Sequence, residues 1–418
     1  MNRSPSLSSL LSLITLGLLA MGGCNSRVQQ PVLGAYRATL ALPGGKLPFG
    51  LEIAREGDHY ILFMTNGPER TRVPDVKVEN GELVANFPGY ENSLRASLRK
   101  NALEGTVTLI KSGGVEQVIP FKATRGETHR FFAAGATDNA DVAGRWAVAF
   151  TADDGTASNA VAVFGQQHDR VTGTVMTPTG DHRYLDGQVR GDELFLSTFA
   201  GGLPYLYRLK VNRAGELTGE YWQGLKSHEK LLARRDANAT LVDAESLTQM
   251  KGGEQRLDFT FKDLDGKPVS LGDARFRGKV VLVTLGGSWC PNCHDEAMFL
   301  APFYREHRDQ GFEVIALMFE RHGEFAKAAA AARGLRDDLG VEYTTLIAGI
   351  SDTDEASKVL PTLSGVHGFP TSIFIDRQGK VRRIHTGFTG PATGKPYDDY
   401  VVEFRKYVEE LLGEPLPH

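Results

Sequence analysis

Lys279-Val280-Val281-Leu282-Val283-Thr284-Leu285 is an apolar, β-branched run that predicts a buried strand. Gly286-Gly287-Ser288 breaks it. From Cys290 to Gln310 the apolar positions take helical spacing, and Gly311 follows as a stop. The flanking segments continue this alternation. Strands are predicted at 257–261, 268–271, 312–319, 343–347, 372–376 and 381–385, the last two joined by Arg377-Gln378-Gly379-Lys380. Helices are predicted at 324–339, in part of 354–363 where Pro361 interrupts, and at 398–412. Strands alternating with helices, then a hairpin and a final helix, imply an α/β domain over 255–418, a mixed sheet with helices on both faces.

Upstream the period changes. Runs such as His59-Tyr60-Ile61-Leu62-Phe63-Met64 and Gly105-Thr106-Val107-Thr108-Leu109-Ile110 are separated by Gly, Asn and Asp turns. No long helical pattern interrupts them. The region repeats at an offset of about 110 residues. Gly34-Ala35-Tyr36 recurs as Gly144-Arg145-Trp146, and Gly81 to Phe87 recurs loosely as Gly191 to Phe199. Leu103-Glu104-Gly105-Thr106 matches Leu217-Thr218-Gly219-Glu220, and Phe121 to Arg125 matches Leu231 to Arg235. Two copies of one antiparallel unit are expected, at 31–125 and 141–235, as small meander barrels or sandwiches. Gly126 to Ala140 would join them, and the polar stretch 236–254 would link them to the α/β domain. Tyr184, Tyr205, Tyr207, Tyr221 and Trp222 could line a ligand or partner surface, but are expected to fill barrel interiors or strand faces. His168, His182 and His228 lack metal-ligand spacing and are expected on the surface.

Composition is that of an ordinary globular chain: 418 residues, 41% apolar and 23% charged, with a net charge of −4. No basic stripe suggests nucleic acid. The three cysteines divide into one and two. Residues 1–24 read as a targeting segment, with Arg3 before an apolar stretch from Leu7 to Met21. Leu19-Ala20-Met21-Gly22-Gly23-Cys24 resembles a bacterial lipoprotein box, with Met21 where Leu is usual. The resemblance implies cleavage before Cys24, lipidation of Cys24, a tether over 25–30, and a periplasm-facing protein. Asn25 after the cysteine favours the outer over the inner membrane. A plain secretory signal or an uncleaved anchor would also export the chain, leaving Cys290 and Cys293 where disulfides are permitted.

Two cysteines in Trp289-Cys290-Pro291-Asn292-Cys293 stand at the first turn of a predicted helix, whose positive end stabilises a thiolate. Pro291 suits the first helical position. With Asp263 to Lys267, Gly278 to Val283, Trp289 to Glu296, Gly368-Phe369-Pro370-Thr371 and Phe374 to Lys380, this pattern resembles the TlpA/ResA-like thiol–disulfide oxidoreductases of the redoxin and peroxiredoxin-like group. The resemblance covers about residues 255–415 and implies a thioredoxin fold.

The resemblance further implies that Cys290 attacks a substrate disulfide and Cys293 resolves the mixed disulfide, leaving a redox-active Cys290–Cys293 bridge. Pro370 matches the family's cis-proline, flanked by Phe369 and Thr371. A substrate chain would lie against these residues, with Trp289 and Pro291 on the other side. Glu296 matches a glutamate that tunes the cysteines in some reductive members, and otherwise reads as a solvated helix residue. Where members often carry a proline two residues after it, this chain has Met298, with Pro302 a turn later. His294 and Asp295 read as surface residues. Protein thiols and disulfides are the expected partners, with a membrane electron donor and no cofactor or metal. Three other readings compete. A zinc site lacks ligands. A thiol peroxidase would need Pro and Thr or Ser before its cysteine, which Leu285-Gly286-Gly287-Ser288-Trp289 does not supply. In the third, a surface lipoprotein binds a ligand through its β region and carries an accessory redox domain.

Overall fold

The structure, a computed structural model, describes residues 30–133 and 138–416. The targeting segment, Cys24 and the tether up to residue 29 lie outside the described residues. Eight antiparallel strands in sequential order, from Gly34–Leu42 to Val115–Arg125, form a closed barrel. Tyr36–Leu40 pairs with Phe121–Arg125 to close it. A second sequential set runs from Gly144–Ala152 to Ser227–Arg235, and Gly144–Ala152 pairs with both Ala157–Gln167 and Ser227–Arg235. Closure leaves no long free edge for another chain to pair with.

The internal repeat falls on equivalent strands. Counting Gly180–Asp181 as part of a connection, the matched segments lie on the first, fifth, seventh and eighth strands of each barrel. Both copies also share one fastening. The Tyr36 hydroxyl donates to Val32 O at 2.7 Å, and Trp146 Nε1 donates to Val142 O at 3.1 Å, each four residues upstream. Gly34 and Gly144 precede these aromatics at φ +119° and +114°, conformations that a side chain would strain.

Tyr205, Tyr207 and Tyr221 lie in the second core, as expected, whereas Trp222 packs with Phe199 into the core of the first barrel. Phe199 meets Phe49 and Phe87 edge-on, at centroid distances of 5.3 and 5.4 Å. His182 departs from expectation. Its ring lies near-parallel to those of Tyr205 and Tyr221, with centroids at 4.5 and 5.2 Å, and the Tyr207 hydroxyl is against Nδ1. Burial pushes its pKa down to about 3, so the ring is neutral. In the described part of the joint between barrels, Arg130 donates to Asn66 Oδ1 and Ser197 O, both at 2.9 Å. The stretch 236–254 is also docked: Ala239 and Thr248 are buried, and Met250 bridges to Leu363.

The third sheet has the strand order Pro268–Ser270, Thr260–Asp263, Thr344–Ile350, Phe312–Glu320, Val280–Gly286, Thr371–Ile375, Val381–Thr386. The three central strands, Thr344–Ile350 to Val280–Gly286, are parallel, and the flanking strands are antiparallel. A short helix α1 (Ala244–Leu247) precedes the sheet. Residues of α2 (Pro291–His307), α3 (Phe325–Asp338) and α5 (Lys395–Leu412) pack in one core with Val280, Leu282, Val314 and Phe374. Helix α4 (Thr353–Val359) joins the opposite core with Val281, Val283, Ile315 and Leu317. This is the expected mixed sheet with helices on both faces, a thioredoxin fold. Helix α2 ends at His307 and tightens into a 3₁₀ turn before Gly311, short of the predicted Gln310.

Candidate active site

Strand Val280–Gly286 is buried on both faces and delivers the chain to the cysteines. A Cβ at Gly287 would collide with the Trp289 indole and stand 2.6 Å from Phe319 O, so this close turn requires glycine. The turn is held at several points. Ser288 donates to Glu320 through N–H at 3.0 Å and Oγ at 2.7 Å. Trp289 Nε1 donates to Phe319 O at 2.8 Å. His294 Nε2 lies 2.6 Å from Ser288 O, which can only accept, so Nε2 carries the proton.

Cys290 is the N-cap of α2 and Pro291 takes the first helical position. The two cysteines form a disulfide, with Cα atoms 5.2 Å apart. Cys293 N–H donates to Cys290 Sγ at 3.2 Å. Phe369–Pro370 is cis, and Phe369 O stands 3.7 Å from Cys290 Sγ. Trp289 and Phe369 meet edge-on at 6.0 Å, and the Arg321 guanidinium lies 4.8 Å from the Trp289 ring centre. Thr371 is fully buried and donates to Gly368 O at 2.9 Å. Cys290, Cys293, Trp289, Pro291, Phe369, Pro370 and Thr371 therefore gather at one place.

Glu296 is not solvated. It is buried one turn after Cys293 and accepts from Thr284 Oγ1 at 2.5 Å and Ser372 Oγ at 2.7 Å. Burial pushes its pKa up to about 7, against the pull of the two hydroxyls. A cavity of about 20 Å³, room for one water, is lined by Cys293, Glu296 and Thr284.

His294 and Asp295 are also buried, contrary to the surface expectation. The physical reason is that both barrels cover this side of α2. Tyr90 of the first barrel stacks on His294 at 3.8 Å, and burial takes the His294 pKa down to about 3. Arg183 of the second barrel donates to Asp295 at 2.7 Å, to Pro291 O at 3.3 Å, and to Glu69 of the first barrel at 2.6 Å. Arg183 sits at φ +54°, which costs a non-glycine residue roughly 1–2 kcal/mol. Asp295 is pushed up to about 7 by burial, opposed by Arg183 and reinforced by Asp181 and Glu69. Sequence reasoning missed Arg183 and Glu320. A carboxylate ending the apolar run Phe312–Glu320 was a usable signal for the second; nothing local marked the first.

The sequence likenesses to known proteins fall on this domain. A family model described as Redoxin matches residues 251–400. The thiol-disulfide oxidoreductase ResA of Bacillus subtilis (strain 168) is 28% identical over 150 residues, 36% of this chain and 74% of the relative. ResA of Bacillus thuringiensis (strain Al Hakam) is 29% identical over 133 residues, 32% of this chain and 68% of the relative. Among solved structures, a thiol:disulfide interchange protein of the thioredoxin family from Chlorobium tepidum TLS is 22% identical, with 38% of this chain and 96% of that one covered and a TM-score of 0.29. On the sequence likeness and the bridged cysteine pair, the carboxyl-terminal domain is that of a TlpA/ResA-like thiol–disulfide oxidoreductase.

Proposed function

We propose that this protein is an exported, lipid-anchored disulfide reductase of the bacterial envelope. The observation that carries the reading is the Cys290–Cys293 bridge at the N-terminus of α2, with a backbone N–H aimed at Cys290 Sγ. In the reduced enzyme that donor and the helix dipole stabilise a Cys290 thiolate. The thiolate attacks one sulfur of a substrate disulfide, the substrate S–S bond breaks, and one substrate thiolate leaves. Cys293 gives up its proton and attacks Cys290 Sγ, closing the intramolecular disulfide and releasing the second substrate thiolate. Two electrons pass from the pair to the substrate.

Glu296 takes the Cys293 proton. Its support is its burial and a pKa near ambient pH, a suitable match for proton transfer. Trp289, Pro291, Phe369, Pro370 and Thr371 form the substrate side. The pair needs re-reduction outside the cytoplasm, which a membrane electron carrier would supply. The lipoprotein-like box ending in Cys24 supports anchoring, with the outer membrane favoured by Asn25. The domain divisions drawn from the sequence, with the redox unit from 255, belong to the same reading.

A Cys293→Ser chain expressed in its own envelope tests this. Substrate proteins are expected as mixed disulfides on Cys290, released by reductant and absent from the Cys290→Ser/Cys293→Ser chain. An empty trap from folded protein would sink the exchange mechanism. A reduction potential as oxidising as about −120 mV would instead remove the word reductase.

A further inference from the structure

Cys290 and Cys293 are only 4% and 6% exposed, although thiol–disulfide exchange needs access to sulfur. One connection of the second barrel, residues 178–184, between strands Arg170–Thr177 and Leu185–Arg190, packs against the segments on either side of the pair. Asp181 N–H donates to Oδ1 of Asn292, the residue just before Cys293, at 3.3 Å. Gly180 lies so close to Asn292 that a Cβ would collide with it. The Thr179 methyl fills the space where a Cβ of Gly368 would stand, two residues before Pro370. Pro178 O approaches Gly387 to 2.9 Å of its Cβ position, and Gly390 N–H donates to Asp181 Oδ2 at 2.9 Å. One short segment thus lies on the residues between the cysteines, on the turn before Pro370, and on the turn after the last strand. Arg183 fastens it through Asp295 and Glu69 in a left-handed conformation, and an unfavourable backbone kept at such a place points to function. The first barrel has no counterpart: its equivalent connection between His59–Asn66 and Glu69–Glu79 is Gly67-Pro68.

We propose that Pro178–Asp181 occupies the groove in which a substrate chain lies, and that a protein disulfide reaches Cys290 only after this segment has lifted away. The segment is a tethered occupant of the oxidoreductase's own substrate site. The proposal rests on Cys290 being the reacting sulfur, and its first test uses synthetic reductants so that it stands apart from the search for natural substrates.

The bridge in the full oxidised chain is reduced by dithiothreitol and by a thiol carried on a polyethylene-glycol chain, each rate normalised to that with oxidised glutathione. The bulky thiol should be slower by about tenfold or more, as for a groove open in about a tenth of molecules. Thr179→Gly and Arg183→Met should each narrow the gap to within about twofold. Equal normalised rates on the natural chain would overturn the proposal, as would an undiminished gap in natively folded Thr179→Gly. Amide exchange gives a second reading that needs no cap variant. In Cys293→Ser chain carrying a peptide disulfide-bonded to Cys290, exchange at Gly180–Arg183 should be at least about tenfold faster than in the unloaded chain. Unchanged exchange there would refute displacement.

Discussion

The two barrels have the same framework and differ where they meet the redox domain. Both close through their first and last strands, and both tie the aromatic of the first strand to a carbonyl four residues upstream. Between the third and fourth strands the first barrel turns in Gly67-Pro68, while the second carries residues 178–184 against Asn292 and Gly368, the neighbours of Cys293 and Pro370. The duplicated scaffold thus repeats its strand order and differs in this connection, and connections are where binding functions usually reside. Glu69, just past the short turn, pairs with Arg183 at the end of the long one, so the two unlike connections meet at a single guanidinium.

Removing that guanidinium is the severest way to break the comparison. Arg183→Met leaves Asp295 and Glu69 buried without their partner and should destabilise the chain by about 3–5 kcal/mol. Arg70→Met, one residue from Glu69, removes an exposed pair with Glu52 and should cost no more than about 1 kcal/mol. Urea unfolding of both variants checks the contrast. Similar losses would mean that the second barrel's connection is ordinary surface.

Much of this arrangement was legible in the sequence, because it depends on local pattern. Glycine-bounded alternation revealed two β units, and the match of Gly34-Ala35-Tyr36 with Gly144-Arg145-Trp146 aligned their first strands. The cysteine spacing, the preceding strand and Gly368 to Thr371 identified the redox site for the same reason: each motif is a short segment with a fixed local geometry. The side chains of α2 misled, because Asp295 and His294 have polar side chains and helix periodicity cannot say what a distant barrel will cover. Arg183 and Tyr90 reach α2 from more than a hundred residues away, and no periodic or turn signal encodes that meeting.

Buried carboxylates offer a smaller, graded test. Asp295, Glu296 and Glu320 each have a pKa pushed up to about 7, mainly by burial. A carboxyl raised on folding binds its proton more tightly in the native state. Its stabilisation is therefore present at low pH and is lost as pH rises from the unfolded value, about 4, through about 7. Unfolding free energy should fall across that window, by at most about 1.4 kcal/mol per pH unit for each group, and level off above it. Glu296→Gln should remove one share regardless of the barrels, since only Thr284 and Ser372 hold that carboxyl. The share of Asp295 should change in Arg183→Met, since both barrels face it. Denaturation midpoints between pH 5 and 8 measure both slopes, and a flat profile in the natural chain would contradict them.

The mildest change bears on what the barrels share. Tyr36→Phe deletes the hydroxyl that donates to Val32 O and leaves the ring in the first core. Val32 is exposed, so its carbonyl can turn to water and no buried acceptor is stranded. The loss should be near the net value of one hydrogen bond, about 1 kcal/mol, without effect on the reduction rate of the Cys290–Cys293 bridge. The equivalent donor in the second barrel belongs to Trp146, which is fully buried, so its replacement by phenylalanine removes packing as well and should cost more. Stability should thus register both fastenings, while access to the disulfide should respond only to the second barrel's connection. If Tyr36→Phe altered the bulky-thiol rate as much as Thr179→Gly does, the long connection would be one part of a general docking strain, and the division between a common framework and a specialised cap would fail.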